Sequence, residues 1–466
     1  MQYRRILFSV MLVLLAGIFV PVSAAGPPDE NSLITFKKNG GWCWYQDPRA
    51  VISGDSLFFG SVAAIDRDGS GAGDIEVTSY DISSGVLNHF KLHPQLQPDD
   101  HNAPAFLVLP DGRLLASYMT HGGDSLMRWR ISGAPSTIDA WSEEYNVDAG
   151  ADLSYSNLFM LQAEGNRIYN FHRGIGWNPN FMVSDDLGKS FHYGGRLLNW
   201  PRPEKGEAGY SGMDGGRPYL KYASDGINTI HFITTEDHPR AFDNSLYHGF
   251  IRDENIYKSD GEKLETLSPD PEGGVVVNSL TRIFKGDAEN VAWTIDLELD
   301  EHGCPYTVFS VQKNSGEWKA SPGRGGLDHR YYYARWDGKK WHVHEMAFAG
   351  TRLYAREDDY TGLAALDPRN KNVVFISTNA EPLTGKPLIS SLDGERHREI
   401  FKGVTRDGGK TWKWDPVTRD SDVDNIRPIV PNGTSDRDIV LWLRGKYYSY
   451  THYDLDVVGR ISESGE

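Results

Sequence analysis

Short apolar or alternating runs recur along the whole chain, separated by Gly, Asp or Asn turns, whereas helix-period stretches are scarce. One arrangement repeats: a strand-like run, a turn, then a second strand-like run. It appears in "RAVISGDSLFFGSV" from Arg49, "APAFLVLPDGRLLASY" from Ala103, "SNLFMLQAEGNRIYNFHRG" from Ser156 and "RPYLKYASDGINTIHFITT" from Arg217. It continues in "WTIDLELDEHGCPYTVFSVQ" from Trp293, "LAALDPRNKNVVFIST" from Leu363 and "RPIVPNGTSDRDIVLWLRG" from Arg427. The turns lie near residues 54, 112, 165, 226, 303, 369 and 433, at intervals of about 53 to 77 residues. Seven such units predict an all-β fold, a seven-bladed β-propeller with one small antiparallel sheet per blade. A β-helix needs shorter repeats, and a pair of sandwiches gives no single period across the chain. "TRDGGKTW" (Thr405 to Trp412) and the weaker "SDDLGKSF" (Ser184 to Phe191) fit the Asp-box pattern, in which Asp and Gly make a hairpin turn and the final aromatic packs on the blade.

The ends of the chain have a different texture. Arg4 and Arg5 precede an apolar run from Ile6 to Val20 and the small residues Val22-Ser-Ala24, the layout of a secretory signal peptide. The run is short for a spanning helix, and no later segment is apolar enough to cross a bilayer. The expected organisation is therefore a signal peptide over 1–24, a leader over 25–39, one catalytic propeller over 40–456 and a tail over 457–466. A secreted protein, extracellular or periplasmic, with no membrane insertion, is expected. The net charge of −16 becomes −18 once Arg4 and Arg5 are removed, which excludes nucleic-acid binding through a general basic surface. An anionic partner must be met by a local cluster of cations. Two cysteines, Cys43 and Cys304, make no disulfide scaffold. The 13 Trp and 23 Tyr suit a carbohydrate-handling surface and an all-β core equally well.

Candidate chemistry starts at "DDHNAPAFLVLPDGRLLASYMTHG" (Asp99 to Gly122). The turn centres on Asp111, midway between His101 and His121, so a hairpin in that register makes the two imidazoles cross-strand neighbours. Directly opposed side chains have Cβ atoms about 4.5–5.5 Å apart. Such a pair suits acid–base work near neutral pH or half of a metal site. Asp99, Asp100 and Asn102 make this rim unusually polar. Comparable blade ends supply His172 and Arg173 ("YNFHRG"), Arg217 and Tyr219 ("GRPYLKY"), His238 and Arg240 ("TTEDHPR"), Tyr247 and His248 ("NSLYHGF") and Tyr155 ("LSYSN"). Glycoside hydrolases usually need two carboxylates at a fixed separation, and no such pair stands out. β-Elimination beside a uronic acid needs a cation for the C6 carboxylate, a base for the C5 proton and an acid for the departing O4. His, Tyr and Arg fit elimination better.

The ordered set "GGWCWYQDPRAV", "DDHNAPAFLVLPDGRLLASYMTHG", "YNFHRG", "GRPYLKY", "TTEDHPR", "NSLYHGF" and "HRYYYARWDGKKW" resembles the BNR/Asp-box-repeat propellers that include the ulvan lyases, from about Gly40 to the last blade. The resemblance implies a polysaccharide lyase that cleaves a sulfated, uronate-containing algal polysaccharide, ulvan in particular, by β-elimination to an unsaturated uronyl product. It implies acid/base roles for His101 and His121, neutralisation of the uronate by Arg173, and a place in the cleft for Tyr219 and Tyr155. Asn102, Arg217, His238, Tyr247 and His248 are the further substrate-binding candidates. Which imidazole gives the proton and which takes it stays open. Some relatives resemble zinc proteins with His and Cys ligands. Here His238 and His248 fall in that region without a cysteine, and His302 and Cys304 pair at another turn. No cofactor is expected for the chemistry, while a structural zinc or calcium is left open. The expected partner is an anionic polysaccharide, acted on by a monomer.

Two alternatives remain. Glycosidases that remove rhamnose from rhamnosyl-glucuronate share this propeller, with a catalytic histidine expected in the segment matching "WYQDPR"; Gln46 stands there and cannot act as acid or base. A non-catalytic carbohydrate-binding propeller is the other. The arginine triad of sialidases cannot be assembled from this sequence.

Overall fold

The computed structural model describes residues 33–200, 216–314 and 323–463; the expected signal peptide lies outside them. Seven antiparallel sheets follow one another along the chain. Blade 1 spans Ala50–His93, blade 2 Ala105–Asp148, blade 3 Ser154–Arg196 and blade 4 Leu220–Phe284. Blade 5 spans Asn290–Gly350, blade 6 Ala364–Pro416, and blade 7 starts at Asp424. The first strands of neighbouring blades pack around the axis, so the molecule is the seven-bladed propeller that the repeat predicts. Each of the seven turns read from sequence joins the first and second strands of one blade. The longest interval, between the turns at 226 and 303, is explained by blade 4, whose sheet has six strands where the others have four.

Blade 7 corrects the expected boundaries at both ends. Its four strands run in the order Asp424–Ile429, Arg437–Ser449, His452–Glu463 and finally Ile34–Lys37. Ile34 pairs with Gly459 and Thr35 with Val458. The leader therefore supplies the outermost strand of the last blade, and residues 457–463 belong to the sheet rather than to a tail. Pairing between the two ends of a chain closes the ring without leaving a gap between the last blade and the first. Phe36 fixes that seam: it is 1% exposed and sets its ring edge-on to Phe59 and Tyr80 of blade 1, at 6.2 and 5.1 Å.

Both Asp-boxes lie between the third and fourth strands of their blades. In the stronger one, the Thr405 hydroxyl accepts from the Gly409 amide, and Asp407 accepts from the amides of Lys410 and Thr411. Trp412 then packs on Tyr333 of blade 5. In the weaker one, Phe191 packs on Trp129 of blade 2. The boxes are turn devices that tie a blade to its predecessor. Cys43 and Cys304 are both free. Among the described residues, no helix is long and apolar enough to cross a membrane.

The axis is filled by the segment leading into blade 1. Gly41 bridges Val62 of blade 1, the Cys43 amide donates to the Asp100 carbonyl, and the Asp47 amide to the Ser156 carbonyl of blade 3. The Trp44 carbonyl accepts from Lys221 of blade 4, and the indole of Trp44 donates to the Thr294 carbonyl of blade 5. Trp42, Cys43, Trp44, Tyr45 and Gln46 are all 3% exposed or less. Removing the Phe36 ring opens a cavity at the seam; Phe36→Ala should cost about 3–5 kcal/mol, read as a lower denaturant midpoint. An unchanged midpoint would show that the seam does not hold the ring closed.

Candidate active site

The candidate residues gather on the face opposite the seven predicted turns, where first strands begin and second strands end. His101 lies in a single 3-10 turn, Asp100–Asn102, just before blade 2, and His121 just after that blade's second strand. The hairpin pairs Ala105 with Ser117 and Leu107 with Leu115, and the chain beyond those strand ends brings His101 beside His121. The two rings are stacked, with centroids 3.9 Å apart and planes 12° from parallel. One carboxylate serves both: Asp99 Oδ1 lies 2.6 Å from Nδ1 of His101, and Oδ2 lies 2.9 Å from Nδ1 of His121. Asp100 Oδ1 is a further 3.0 Å from Nδ1 of His101. Each Nδ1–H is thus committed to a carboxylate, and Nε2 of each ring is turned the other way.

The two imidazoles hold protons unequally. Burial works against a charged His101, and the acidic groups around it, Cys43, Asp99, Tyr155 and Asp100, outweigh that effect and raise its pKa well above 6.5. Two of those groups are carboxylates, charged at neutral pH. Burial also works against a charged His121, but there the positive charge of His101 adds to it, and the single carboxylate of Asp99 does not compensate; its pKa falls to about 4. Near neutral pH the pair therefore holds one charged ring and one neutral ring.

Arg173 ends the second strand of blade 3 and is 7% exposed. Its guanidinium donates to Tyr219 Oη at 3.2 Å and to Ser154 Oγ at 2.9 Å. Aromatic rings surround it: Tyr155 at 5.1 Å, Trp177 at 5.2 Å and Tyr219 at 5.9 Å. Among the described residues no carboxylate pairs with it. Tyr155 reaches this place through a β-bulge, where the register slips between Ser154 and Asn157 and Tyr155 takes φ of 71°. That left-handed conformation is unusual for a bulky residue and turns the side chain into the cleft. Its ring lies 5.5 Å from His101 and 6.2 Å from His121. Burial holds its phenol up, so it remains a donor at neutral pH. Tyr45 of the axial segment forms the floor, 5.1 Å from Tyr155 and 5.0 Å from Tyr219.

The other candidates are sorted by their contacts. Asn102 is buried and braces the turn through Gln97. Arg217 lies over the Trp177 ring at 5.8 Å, on the rim. His238 stands behind Tyr219, with ring centroids 5.5 Å apart. His172 is buried, with Nδ1 3.2 Å from the Asn170 carbonyl oxygen. Two candidates do not join the site. Tyr247 donates to Glu236, and His248 packs away from the cleft against His231 and against Trp341 of blade 5. Sequence reasoning missed Trp177, Ser154 and Tyr450, whose ring meets both histidines edge-on.

The zinc set implied by resemblance does not assemble from His238 and His248, which have different neighbours. The backbone amides of His302 and Cys304 cap Asp300 at a turn on the opposite face. The His238, Glu357 and Asp359 ligand atoms do converge within 4.8 Å. Arg240 already occupies that cluster, donating to Glu357 at 3.1 Å and meeting Nε2 of His238 at 3.0 Å. A resident guanidinium supplies the cation there, and these residues do not fit a zinc centre.

A seven-bladed propeller with a stacked histidine pair beside a buried arginine is the class of protein that this fold and cleft define. The chain belongs to the BNR repeat-containing family, whose profile matches residues 58–349. Among solved structures it is similar to a PL25 ulvan lyase, known free and bound to -[GlcA(1-4)Rha3S]-. The TM-score is 0.64 at 14% identity, covering 91% of this chain and 94% of that one. It is also similar to polysaccharide lyase Uly1, with a TM-score of 0.54 at 11% identity over 90% of each chain. These likenesses are of fold. No curated protein matches the chain.

The buried histidines make stability depend on pH. Burial lowers the pKa of His121, His172, His231 and His329 to about 4 each, against about 6.5 in an unfolded chain. The unfolded state therefore takes up these protons first, and stability present above pH 6.5 is lost as the pH falls toward 4. His101 has the opposite sign: its contribution is full below 6.5 and is lost as the pH rises through its higher folded value. The assignment can be read ring by ring: by NMR titration of the folded protein at pH 5, His121, His172, His231 and His329 should be mostly neutral and His101 charged. Charged rings at those four positions at pH 5 would contradict the assignment.

Proposed function

We propose that this protein is a secreted polysaccharide lyase that cleaves a sulfated, glucuronate-containing polysaccharide of the ulvan type by β-elimination. The observation that carries this reading is the buried Arg173, a cation without a carboxylate partner among the described residues, beside two stacked histidines that share Asp99. The substrate named for the similar lyase, -[GlcA(1-4)Rha3S]-, has the uronate chemistry such a cleft requires.

In this reading the C6 carboxylate of the uronate pairs with Arg173 and Tyr219, and neutralising it acidifies the C5 proton. Neutral His121 takes that proton at Nε2, and the C–H electron pair becomes the C4=C5 double bond. The C4–O4 bond breaks with its electrons on O4, and charged His101 delivers its Nε2 proton there. The two rings thereby exchange charge states. Asp99, bonded to both Nδ1 atoms, stabilises either arrangement. A polymeric substrate fits a secreted, monomeric enzyme, and the residues above carry the chemistry without a cofactor.

The stacking narrows the substrate further. Both Nδ1 atoms face Asp99, so both Nε2 atoms point the same way, side by side, and act on one face of the sugar. In glucuronate, H5 and O4 lie on the same face of the ring; in iduronate, inversion at C5 puts them on opposite faces. Same-face proton transfer therefore favours glucuronate.

Incubation with ulvan tests the reading. A rise in near-ultraviolet absorbance from the conjugated uronate, with cleavage at glucuronate far exceeding that at iduronate, is the expected result. New reducing ends without that absorbance would mean hydrolysis, and binding without either would mean a carbohydrate-binding propeller. His121→Ala and Arg173→Ala should each lower kcat/KM by about 100-fold or more, with unfolding midpoints retained. A double variant with full activity would overturn the site.

A further inference from the structure

We propose that Arg427 is a positioning residue for the acid histidine: its guanidinium, reaching from the last blade, fixes Asp100 and holds that carboxylate's charge beside Nδ1 of His101. This rests on the lyase reading only in giving His101 the acid's part. Arg427 lies in the first strand of blade 7, where the register slips between Ile426 and Ile429. It takes φ of 53° and is fully buried. A left-handed backbone on a buried arginine, inside a strand, persists only where its surroundings over-determine it.

Those surroundings all lead to Asp100. Arg427 Nη1 donates to Asp100 Oδ2 and to the Trp42 carbonyl, and Nη2 donates to Tyr447 Oη at 2.8 Å. Tyr447 donates in turn to Asp100 Oδ2 at 2.6 Å. The guanidinium also lies over the rings of Trp44 and Tyr447, at 5.5 and 4.5 Å. The backbone of Asp100 is held as firmly: its amide donates to the Tyr450 carbonyl, and its carbonyl accepts from the Cys43 amide, both at 2.9 Å. With Oδ2 engaged by blade 7, Oδ1 is left facing Nδ1 of His101 at 3.0 Å. Asp100 is fully buried beside a second carboxylate, Asp99, and a charge in that position requires a nearby cation. Arg427 is a permanent one, whereas His101 must give up its proton in each turnover.

Several groups face His101. Asp99 and Asp100 belong to its own turn, Cys43 to the axial segment, His121 to blade 2 and Tyr155 to blade 3. Tyr354 and Glu357 come from the loop before blade 6, and Tyr450 and Tyr453 from blade 7, with Arg427 and Tyr447 behind Asp100. Arg173 faces His121 rather than His101. Without Arg427, Asp100 takes up a proton in order to stay buried. His101 then loses an adjacent negative charge and releases its own proton more readily.

The test is a histidine titration by NMR on the intact protein, with carbon-13-labelled histidine. In Arg427→Met the midpoint of His101 should fall by about one unit or more, a tenfold change in proton affinity, and Arg427→Lys should restore most of it. The alkaline limb of the kcat/KM profile on ulvan should move down by the same amount. A role in packing alone would lower stability without moving either midpoint. A folded Arg427→Met protein whose His101 titrates as in the wild type overturns the proposal. Should the Met variant fail to fold, Tyr447→Phe removes one donor to Asp100 and should shift His101 in the same direction by less; an unchanged midpoint there overturns it equally. The titration needs no substrate, so its outcome holds even if the protein proves not to be a lyase.

Discussion

The segment from Gly40 to Pro48 occupies the axis of the propeller, and the other parts depend on how it is held. Seven sheets arranged in a ring touch chiefly through their inner strands, so the space they enclose must be filled or it becomes a void. Trp42, Trp44 and Tyr45 fill it. Trp42 meets Phe59 of blade 1, and Trp44 meets Trp293 of blade 5 and Tyr360 at the entry to blade 6. Each such ring contributes about 1.5–3 kcal/mol by burial. Its peptide groups pair with backbone groups of Val62, Asp100, Phe106, Ser156, Leu158 and Leu455 and with the side chains of Lys221 and Arg427, as buried amides and carbonyls must be paired. The strand that closes blade 7, Ile34–Lys37, lies just upstream, so one stretch of chain both closes the ring and fills it.

The same segment is the floor on which the cleft is built, which links stability to chemistry. Tyr45 supports Tyr155 and Tyr219, Cys43 anchors the turn that carries His101, and the side chain of Gln46 donates to the His101 carbonyl. On that floor the charges separate. Asp99 is shared by both rings, Asp100 lies on the side of His101, and Arg173 on the side of His121. Two identical imidazoles in contact thereby acquire different proton affinities, as the proposed acid and base require. The difference comes from neighbours and not from the rings themselves.

Much of this was legible in the sequence, for reasons of range. The seven inner hairpins are local, each a pair of apolar runs around a turn, and all seven are found where the pattern puts them. The pairing of His101 with His121 is also local, because a symmetric hairpin fixes the register over its whole length. The long-range features were not legible. The strand Ile34–Lys37 pairs with residues more than four hundred positions away, so nothing near it signals a blade. Arg427 and Asp100 are 327 positions apart, and neither reveals the other. "GGWCWYQDPRAV" reads as an apolar run, and its role as an axial plug follows only once seven blades surround it. The misplacement of Tyr247 and His248 has another cause. Adjacent strand residues face opposite sides, and a motif gives no indication of which side faces a cleft and which faces the next blade.

The polyanionic substrate proposed for so acidic a chain requires an account of its charge. The net charge of −16 repels such a substrate at long range, though salt screens that repulsion beyond about 8–10 Å. Attraction must therefore act at contact. Arg173 is suited to this because its neighbours are the rings of Tyr155, Trp177 and Tyr219, with hydroxyls completing its shell. A surface arginine beside an aspartate is already neutralised and offers an incoming carboxylate little. A guanidinium buried among aromatic faces keeps its charge uncompensated in a medium of lower dielectric, where an ion pair is stronger than in water. The contrast with Arg427 makes the point within one molecule. Both arginines are buried and ringed by aromatic side chains, but Arg427 is closed by Asp100, whereas Arg173 lacks a carboxylate among the described residues. The first is part of the frame, and the second, in the proposed reading, is left for the uronate.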